Sequence, residues 1–169
     1  MTAPLSAAAA ALALFASGPR GGLPVHRTPP LAGTDLAGRH VELSQYLGRV
    51  VLVHFWATWC EPCREELPSL ARLRKRLSPR GLEVLSVDFG EGKKRIGDFL
   101  RALSVDLPVL LDPDHRLAEA WDVGGLPTTF LVDARGRLRL SVFGATDWSE
   151  GEALEAVESL LSEASSVSL

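Results

Sequence analysis

The chain has 169 residues, of which 46% are hydrophobic, 23% are charged and 7% are aromatic. These values exclude a disordered, collagen-like or coiled-coil protein, and the length predicts one domain. The formal net charge of −3 argues against a nucleic-acid or anionic-lipid partner. The two cysteines of the chain, Cys60 and Cys63, lie three positions apart, and this spacing is its most informative feature.

The first 18 residues resemble an export signal. Residues 3–16 form an uncharged apolar run that is shorter than the roughly 20 residues of a membrane span but suits a secretory signal. Small residues follow at 16–18, where a signal peptidase can cut. Residues 1–6 contain no Lys or Arg, and an Ala-rich helix or tail is the structural alternative. We expect a periplasmic or otherwise extracytoplasmic protein whose apolar segment is either cleaved or kept as a loose membrane tether.

Glycine and proline dominate the segment that follows. Residues 18–33 contain four Gly and four Pro, a composition that resists regular structure and predicts a linker. The sequence is therefore divided into a signal-like segment 1–18, a Gly/Pro-rich linker 19–33 and a folded domain 34–165. No internal repeat and no second domain boundary is visible within the folded domain.

Strand and helix patterns alternate through the domain. Residues 34–43 predict a small hairpin, and residues 44–48 predict one helical turn closed by glycine. Strands are then predicted at 50–56, 82–89, 108–111, 128–133 and 138–143, and helices at 61–77, 93–103, 115–121 and 148–161. The alternation, which ends in an antiparallel hairpin, predicts an α/β fold with a central mixed sheet flanked by helices.

The motif Trp59-Cys60-Glu61-Pro62-Cys63 lies where a buried strand passes into a helix. Free N–H groups and the helix dipole favour a thiolate on Cys60, and the thiolate is the nucleophile of disulfide exchange. Cys63 follows one turn later, close enough to bond Cys60, and Pro62 suits the first helical turn. The motif predicts attack by Cys60, a mixed disulfide, and resolution by Cys63.

Two structural alternatives apply to the cysteine pair. The pair can be buried and inert, or it can form half of a zinc site. A structural zinc site needs about four ligands. None of the four histidines of the chain stands at motif spacing from the cysteines: His26, His40, His54 and His115.

The run VVLVHFWATWCEPCREELP, at residues 50–68, resembles the active-site segment of the thioredoxin superfamily in its TlpA/ResA/CcmG-like branch of extracytoplasmic thiol–disulfide oxidoreductases. GGLPTTF, at residues 124–130, resembles the cis-proline loop of that family, and Pro68 matches the proline of its active-site helix. Residues 107–113 and the preceding helix resemble an insertion typical of the branch. The resemblance, from about residue 31 to 161, implies a thioredoxin-like fold with an N-terminal hairpin extension and a central insertion.

The resemblance implies a substrate-binding surface around the disulfide. Pro127, in the cis form, is expected to hold its loop beside Cys60 and Cys63, so that the Leu126 backbone can pair with an extended substrate segment as an added strand. Trp59 is expected to form an apolar platform for the substrate near the exposed sulfur. A trans turn at Pro127 is the structural alternative.

Three further residues bear on proton transfer and redox direction. Glu66 matches an acidic residue near the disulfide that can take a proton from Cys63 or raise thiol pKa values; the alternative is a surface glutamate beside Arg64. His54 departs from the Asp or Asn of related proteins. It can shuttle a proton when neutral, stabilise a thiolate when charged, or simply pack in the core. Glu61 disfavours the neighbouring thiolate, which favours a reductant.

The family resemblance implies a disulfide reductase that acts on extracytoplasmic proteins, including apocytochrome c before haem attachment. It also implies a membrane thiol–disulfide electron donor, a monomeric state, and no organic cofactor or metal. One alternative is a peroxiredoxin-type peroxidase, which places Thr three residues before its reactive Cys; here Ala57 holds that position and Thr58 follows it. A copper carrier that uses both cysteines as ligands is the other.

Overall fold

A computed structural model describes residues 28–166 of the chain. The signal-like segment 1–18 and residues 19–27 of the linker lie outside this range, so their assignments stay predictions. Within residues 28–166, no helix has both the length and the apolar character that a membrane span requires.

The domain contains seven strands, four α-helices and two 3₁₀ turns. The strands are β1 (Ala32–Asp35), β2 (His40–Glu42), β3 (Val50–Trp56), β4 (Leu82–Phe89), β5 (Val109–Asp112), β6 (Thr128–Val132) and β7 (Leu138–Phe143). The helices are α1 (Glu61–Leu77), α2 (Lys93–Ala102), α3 (Arg116–Ala120) and α4 (Gly151–Ser166), and the 3₁₀ turns are Leu43–Tyr46 and Ser78–Arg80.

All seven strands form one mixed sheet in the order β2-β1-β5-β4-β3-β6-β7. The central strands β3, β4 and β5 run parallel, whereas β6 and β7 on one side and β1 and β2 on the other pair antiparallel. The predicted mixed α/β fold is confirmed. The expected hairpin extension is β1–β2, and the expected insertion contributes α2 and β5, which joins the two parts of the sheet.

Strand β3 lies at the centre of the sheet and is buried along its whole length. A parallel strand covered on both faces needs apolar residues at every position, and VVLVHFW supplies them except at His54. Alternate side chains enter two core layers. Leu52 and Trp56 pack with α1 and α4, whereas Val53 and Phe55 pack with Trp121 on the opposite face. His54 therefore points toward the layer that contains the active-site helix.

The C-terminal helix begins later than the sequence predicts. It starts at Gly151 and ends at Ser166, against a predicted range of 148–161. Asp147 accepts a hydrogen bond from the Ser149 amide at 2.8 Å, and this local turn competes with helical hydrogen bonding. Trp148 consequently lies in the turn before α4, and its indole is fully buried.

Residues ahead of the predicted domain boundary at residue 34 also pack with the domain. Strand β1 starts at Ala32, inside the segment assigned to the linker, and Leu31 is buried in the core. The Thr28 hydroxyl donates to the Gly136 carbonyl at 2.7 Å and accepts from the Leu138 amide at 2.7 Å. These contacts to the β6–β7 hairpin tie the proline-rich segment to the domain.

Candidate active site

Cys60 and Cys63 form a disulfide at the N-terminus of α1, with an S–S distance of 2.10 Å. Cys60 is the N-cap residue, and its sulfur accepts a hydrogen bond from the Cys63 amide at 3.3 Å. Pro62 occupies the first turn, where its missing N–H leaves no helical bond unmade. Cys60 is 5% exposed and Cys63 is fully buried, so Cys60 presents the sulfur that a partner can reach.

The cis-proline loop lies at the same end of the sheet as the disulfide. The Leu126–Pro127 peptide bond is cis. β6 begins directly after Pro127 and pairs antiparallel with β3, so that Thr128 lies opposite Phe55, near the end of β3 that leads into the cysteine motif. The Pro127 carbonyl accepts from the Gly144 amide at 2.9 Å, which fixes this loop to the end of β7.

Two exposed aromatic side chains flank this region. Trp59, directly before Cys60, is 62% exposed, whereas Trp56 is fully buried. Phe143, at the end of β7, is 72% exposed. Its ring lies so close to Gly125 that a Cβ atom at that glycine would come within 2.6 Å of the ring. The sequence pattern predicts Phe143 only as the last residue of a strand and does not indicate that it is exposed beside the cis-proline loop.

Glu66 lies inside the protein, not on its surface beside Arg64. It is 3% exposed, and its Oε1 accepts a hydrogen bond from the Trp148 indole at 2.5 Å. Burial raises the pKa of Glu66 to about 7, while the Trp148 indole and the nearby Thr129 hydroxyl act in the opposite direction. Arg64 instead places its guanidinium over the Phe99 ring, 5.4 Å from its centre. A carboxyl group that titrates near neutral pH therefore lies one helical turn from Cys63.

His54 is fully buried between the sheet and α1. Its Nδ1 lies 2.9 Å from the Thr129 hydroxyl and 4.0 Å from Glu66 Oε1. Burial lowers the pKa of His54 to about 3, so the imidazole is neutral at physiological pH. The sequence left three roles open for His54. This environment disfavours one of them, the stabilisation of a thiolate by a charged imidazole.

A second polar cluster holds the loop that carries the cysteines. Glu91 Oε2 accepts from the Thr58 amide, and Glu91 Oε1 accepts from the Thr58 hydroxyl, both at 2.6 Å. Arg95 lies 2.7 Å from Glu91 and also donates to the Thr58 hydroxyl at 2.8 Å. Burial raises the pKa of the neighbouring Asp88 to about 7. The sequence pattern does not predict the contacts of Thr58 with Glu91 and Arg95, because they join residues more than 30 positions apart.

Glu61 is exposed in the first turn of α1, next to Cys60. Residues 28–166 contain no group of three or more His, Cys, Asp or Glu side chains that could hold a metal ion. The fold and the disulfide at a helix N-terminus, opposite a cis-proline loop, define a thioredoxin-fold protein with a two-cysteine site.

Comparison with known proteins places this site in a family. The AhpC/TSA family profile matches residues 24–141. The thiol-disulfide oxidoreductase ResA of Bacillus subtilis is 40% identical over 110 residues, which are 65% of this chain and 62% of that protein. ResA of Geobacillus kaustophilus is 36% identical over 116 residues, which are 69% of this chain and 67% of that protein.

A solved structure, of a thiol:disulfide interchange protein DsbE from Chlorobium tepidum, has a TM-score of 0.73 and 28% identity; the match covers 79% of this chain and 94% of that one. The chain thus belongs to the AhpC/TSA family and, within the thioredoxin superfamily, to the ResA-like thiol-disulfide oxidoreductases. The match to Bacillus subtilis ResA spans about 62% of the length of that relative.

Proposed function

We propose that this protein reduces disulfide bonds of other proteins outside the cytoplasm. The observation that carries the proposal is the Cys60–Cys63 disulfide at the N-terminus of α1, with the Cys60 sulfur on the accessible side. The helix N-terminus stabilises a thiolate at Cys60, which is the reactive form. Relatives named thiol-disulfide oxidoreductase support the same chemistry.

The reaction moves two electrons from the reduced cysteine pair to the client disulfide. The Cys60 thiolate attacks one client sulfur, an S–S bond forms between them, and the second client sulfur leaves as a thiolate. Cys63 then attacks the Cys60 sulfur, which restores the Cys60–Cys63 disulfide and releases the reduced client. A membrane thiol–disulfide donor returns two electrons to the pair before the next cycle.

Glu66 is the proton acceptor for Cys63 in this scheme. Cys63 must lose its proton before it can attack, and Glu66 lies one turn further along the same helix, equally buried. The raised pKa of Glu66, about 7, suits a group that gains and loses a proton near neutral pH. His54 remains a neutral side chain during this proton transfer.

The client binds across the two loops that flank the disulfide. The Leu126 backbone pairs with an extended client segment, with Pro127 behind it, while Trp59 provides apolar contact area. Phe143 extends that apolar surface along the cis-proline loop. Apocytochrome c, whose cysteines must be reduced before haem attachment, is the client we propose to test first.

Trapping of the mixed disulfide tests the order of attack. Cys63→Ser is expected to accumulate a stable mixed disulfide with an oxidised peptide that carries a Cys-X-X-Cys-His motif, detected by mass spectrometry under non-reducing conditions. Cys60→Ser is the matched control and is expected to trap nothing. Equal trapping by both variants, or consumption of hydrogen peroxide faster than of the peptide disulfide, would contradict the proposed activity.

The reduction potential tests the direction of transfer. Glu61 disfavours the Cys60 thiolate and so favours the disulfide form of the pair. We expect a potential near or below about −250 mV in thiol redox buffers, toward the thioredoxin end of the known range. A value of about −120 to −180 mV would instead indicate a protein that oxidises or isomerises disulfides.

A further inference from the structure

Four buried polar side chains form a row behind the disulfide: Trp148, Glu66, Thr129 and His54. They come from four separate places in the fold, namely the turn before α4, α1, β6 and β3. All four are buried. A polar row inside a core is costly unless its members satisfy one another, so their hydrogen-bond directions are strongly constrained.

The neutral His54 ring has one N–H, and the geometry indicates which nitrogen carries it. Nδ1 lies 2.9 Å from the Thr129 hydroxyl, whereas Nε2 is buried without a partner. A buried N–H that lacks an acceptor costs free energy. The proton therefore belongs on Nδ1, which donates it to the Thr129 hydroxyl. The Thr129 hydroxyl proton is then free to face Glu66, where the hydroxyl lowers the carboxyl pKa.

The two oxygens of Glu66 are therefore unequal. Oε1 accepts the Trp148 N–H at 2.5 Å and lies on the side of His54, 4.0 Å from its Nδ1. Oε2 is buried and has no hydrogen-bond partner. An indole N–H can only donate, so Trp148 can hold Oε1 in both protonation states of the carboxyl group. The proton that the carboxylate gains is therefore bound by Oε2.

We propose that Trp148 is a positioning residue that anchors Oε1 of Glu66, with Thr129 and His54 as its support, so that Oε2 is the atom that receives the Cys63 proton. The inference rests on the proposed function and extends it to a residue outside the cysteine and cis-proline motifs. In the resolving step, the Cys63 proton moves to Glu66 Oε2 and the Cys63 sulfur bonds to the Cys60 sulfur. The bond from Cys60 to its partner sulfur breaks, and the partner leaves as a thiolate with that electron pair.

Few titratable groups face Glu66 within the described part of the chain. His54 approaches from β3 and is neutral, and Cys63 from the same helix titrates only when the disulfide is reduced. In the oxidised protein, a pH titration of this row therefore reports on Glu66 itself.

The first test follows the Trp148 indole by NMR in oxidised, ¹⁵N-labelled protein, with the resonance assigned from Trp148→Phe. We expect its Nε1–H shift to titrate with a midpoint near pH 7 and to become independent of pH in Glu66→Gln. The buried Trp121 indole, which donates to the Pro30 carbonyl on the opposite face of the sheet, is the internal control. A Trp148 resonance that does not respond between pH 5 and pH 9 would overturn the proposal. The experiment needs no disulfide exchange, so its outcome is independent of the proposed activity.

The second test measures glutathione release from a mixed disulfide between Cys60 and glutathione as a function of pH. Loss of the Trp148 donor destabilises the Glu66 carboxylate, so Trp148→Phe is expected to move the midpoint upward by about one to two pH units. Trp121→Phe is the matched control, because it removes a buried indole that donates to Pro30 on the opposite face of the sheet. An unmoved midpoint in Trp148→Phe, or an equal shift in Trp121→Phe, would contradict a positioning role.

Discussion

Glu61 and Glu66 lie five residues apart on one helix, yet their surroundings give them different effects on the same cysteine pair. Glu61 is solvent-exposed, so its carboxylate acts on Cys60 through a screened charge. Glu66 is enclosed by the core and by Trp148, and this burial brings its pKa to about 7. We therefore expect Glu61 to adjust the equilibrium between thiol and disulfide, and Glu66 to carry a proton.

Replacement of Glu61 isolates the charge effect. Glu61→His is expected to make the reduction potential less negative by about 10 to 40 mV, because the carboxylate that opposes the Cys60 thiolate is lost. Glu65→His is a matched control, since it makes the same change on an exposed position one turn further along the helix. A change of equal size in both variants, or a more negative potential in Glu61→His, would show that the charge next to Cys60 does not set the direction.

At this scale the sequence predicts the side chains that local pattern controls. The predicted place of Glu66 near the cysteine pair agrees with the structure, where it lies on α1 one turn after Cys63 and 4.0 Å from His54 Nδ1. The sequence did not predict that Glu66 is buried, because the side chain that covers it, Trp148, lies 82 residues further along the chain. Thr129 was likewise missed, since its hydroxyl acquires a role only through contacts across the sheet.

The loop between β3 and α1 is held by the segment that leads into α2. Glu91 accepts hydrogen bonds from both the amide and the hydroxyl of Thr58, and Arg95, in the first turn of α2, lies 2.7 Å from the Glu91 carboxylate. Hydrogen bonds to a charged acceptor are the stronger ones. The cysteine-bearing loop is therefore fixed to a neighbouring element as well as to its own helix.

Removal of the Glu91 carboxylate is expected to loosen this loop without unfolding the domain. In Glu91→Ala, hydrogen exchange at the Thr58 amide should accelerate by about ten-fold or more, since a bond to a charged acceptor contributes about 1.5–3 kcal/mol. Lys94→Ala serves as the control, because the exposed Lys94–Asp98 pair on the same helix does not touch the loop. Equal exchange at Thr58 in both variants would indicate that the loop is held by α1 alone.

Element boundaries followed the sequence where the hydrophobic pattern was strong. β3, β4, β7 and α1 begin and end where the sequence predicts. The start of α4 differs from its predicted position, because the turn around Asp147 and Ser149 forms side-chain hydrogen bonds that replace the helical ones. That local competition also creates the position from which Trp148 reaches the active site.

The order of the seven strands is a property of the whole molecule, and only its class was predictable. Composition and alternation indicated a mixed sheet, but β5 pairs with both β4 and β1 across long stretches of chain. Such pairings depend on which apolar faces meet in space, and a local pattern contains no record of them. The family resemblance, not periodicity, supplied the expected hairpin extension and insertion.

Three buried titratable groups make the stability of the fold depend on pH, in opposite directions. The pKa values of Glu66 and Asp88 are raised to about 7, so their contributions to stability are complete below their ordinary values and are lost as pH rises through 7. The pKa of His54 is lowered to about 3, so its contribution is complete above 6.5 and is lost as pH falls toward 3. The acid and alkaline dependence of stability thus arises from different buried groups.

The alkaline side of this dependence can be tested at one residue. Glu66→Gln keeps the shape of the side chain but cannot ionise, so wild type and variant should have similar stability at pH 5, where Glu66 is protonated. At pH 8 the wild type must bury a carboxylate, and the variant is expected to be more stable by about 1–3 kcal/mol in guanidinium unfolding of the oxidised protein. Glu65→Gln, on the exposed face of the same helix, should show no such difference. A stability difference that stays constant from pH 5 to pH 8 would mean that Glu66 remains ionised throughout, and the proton acceptor for Cys63 would then have to be sought elsewhere.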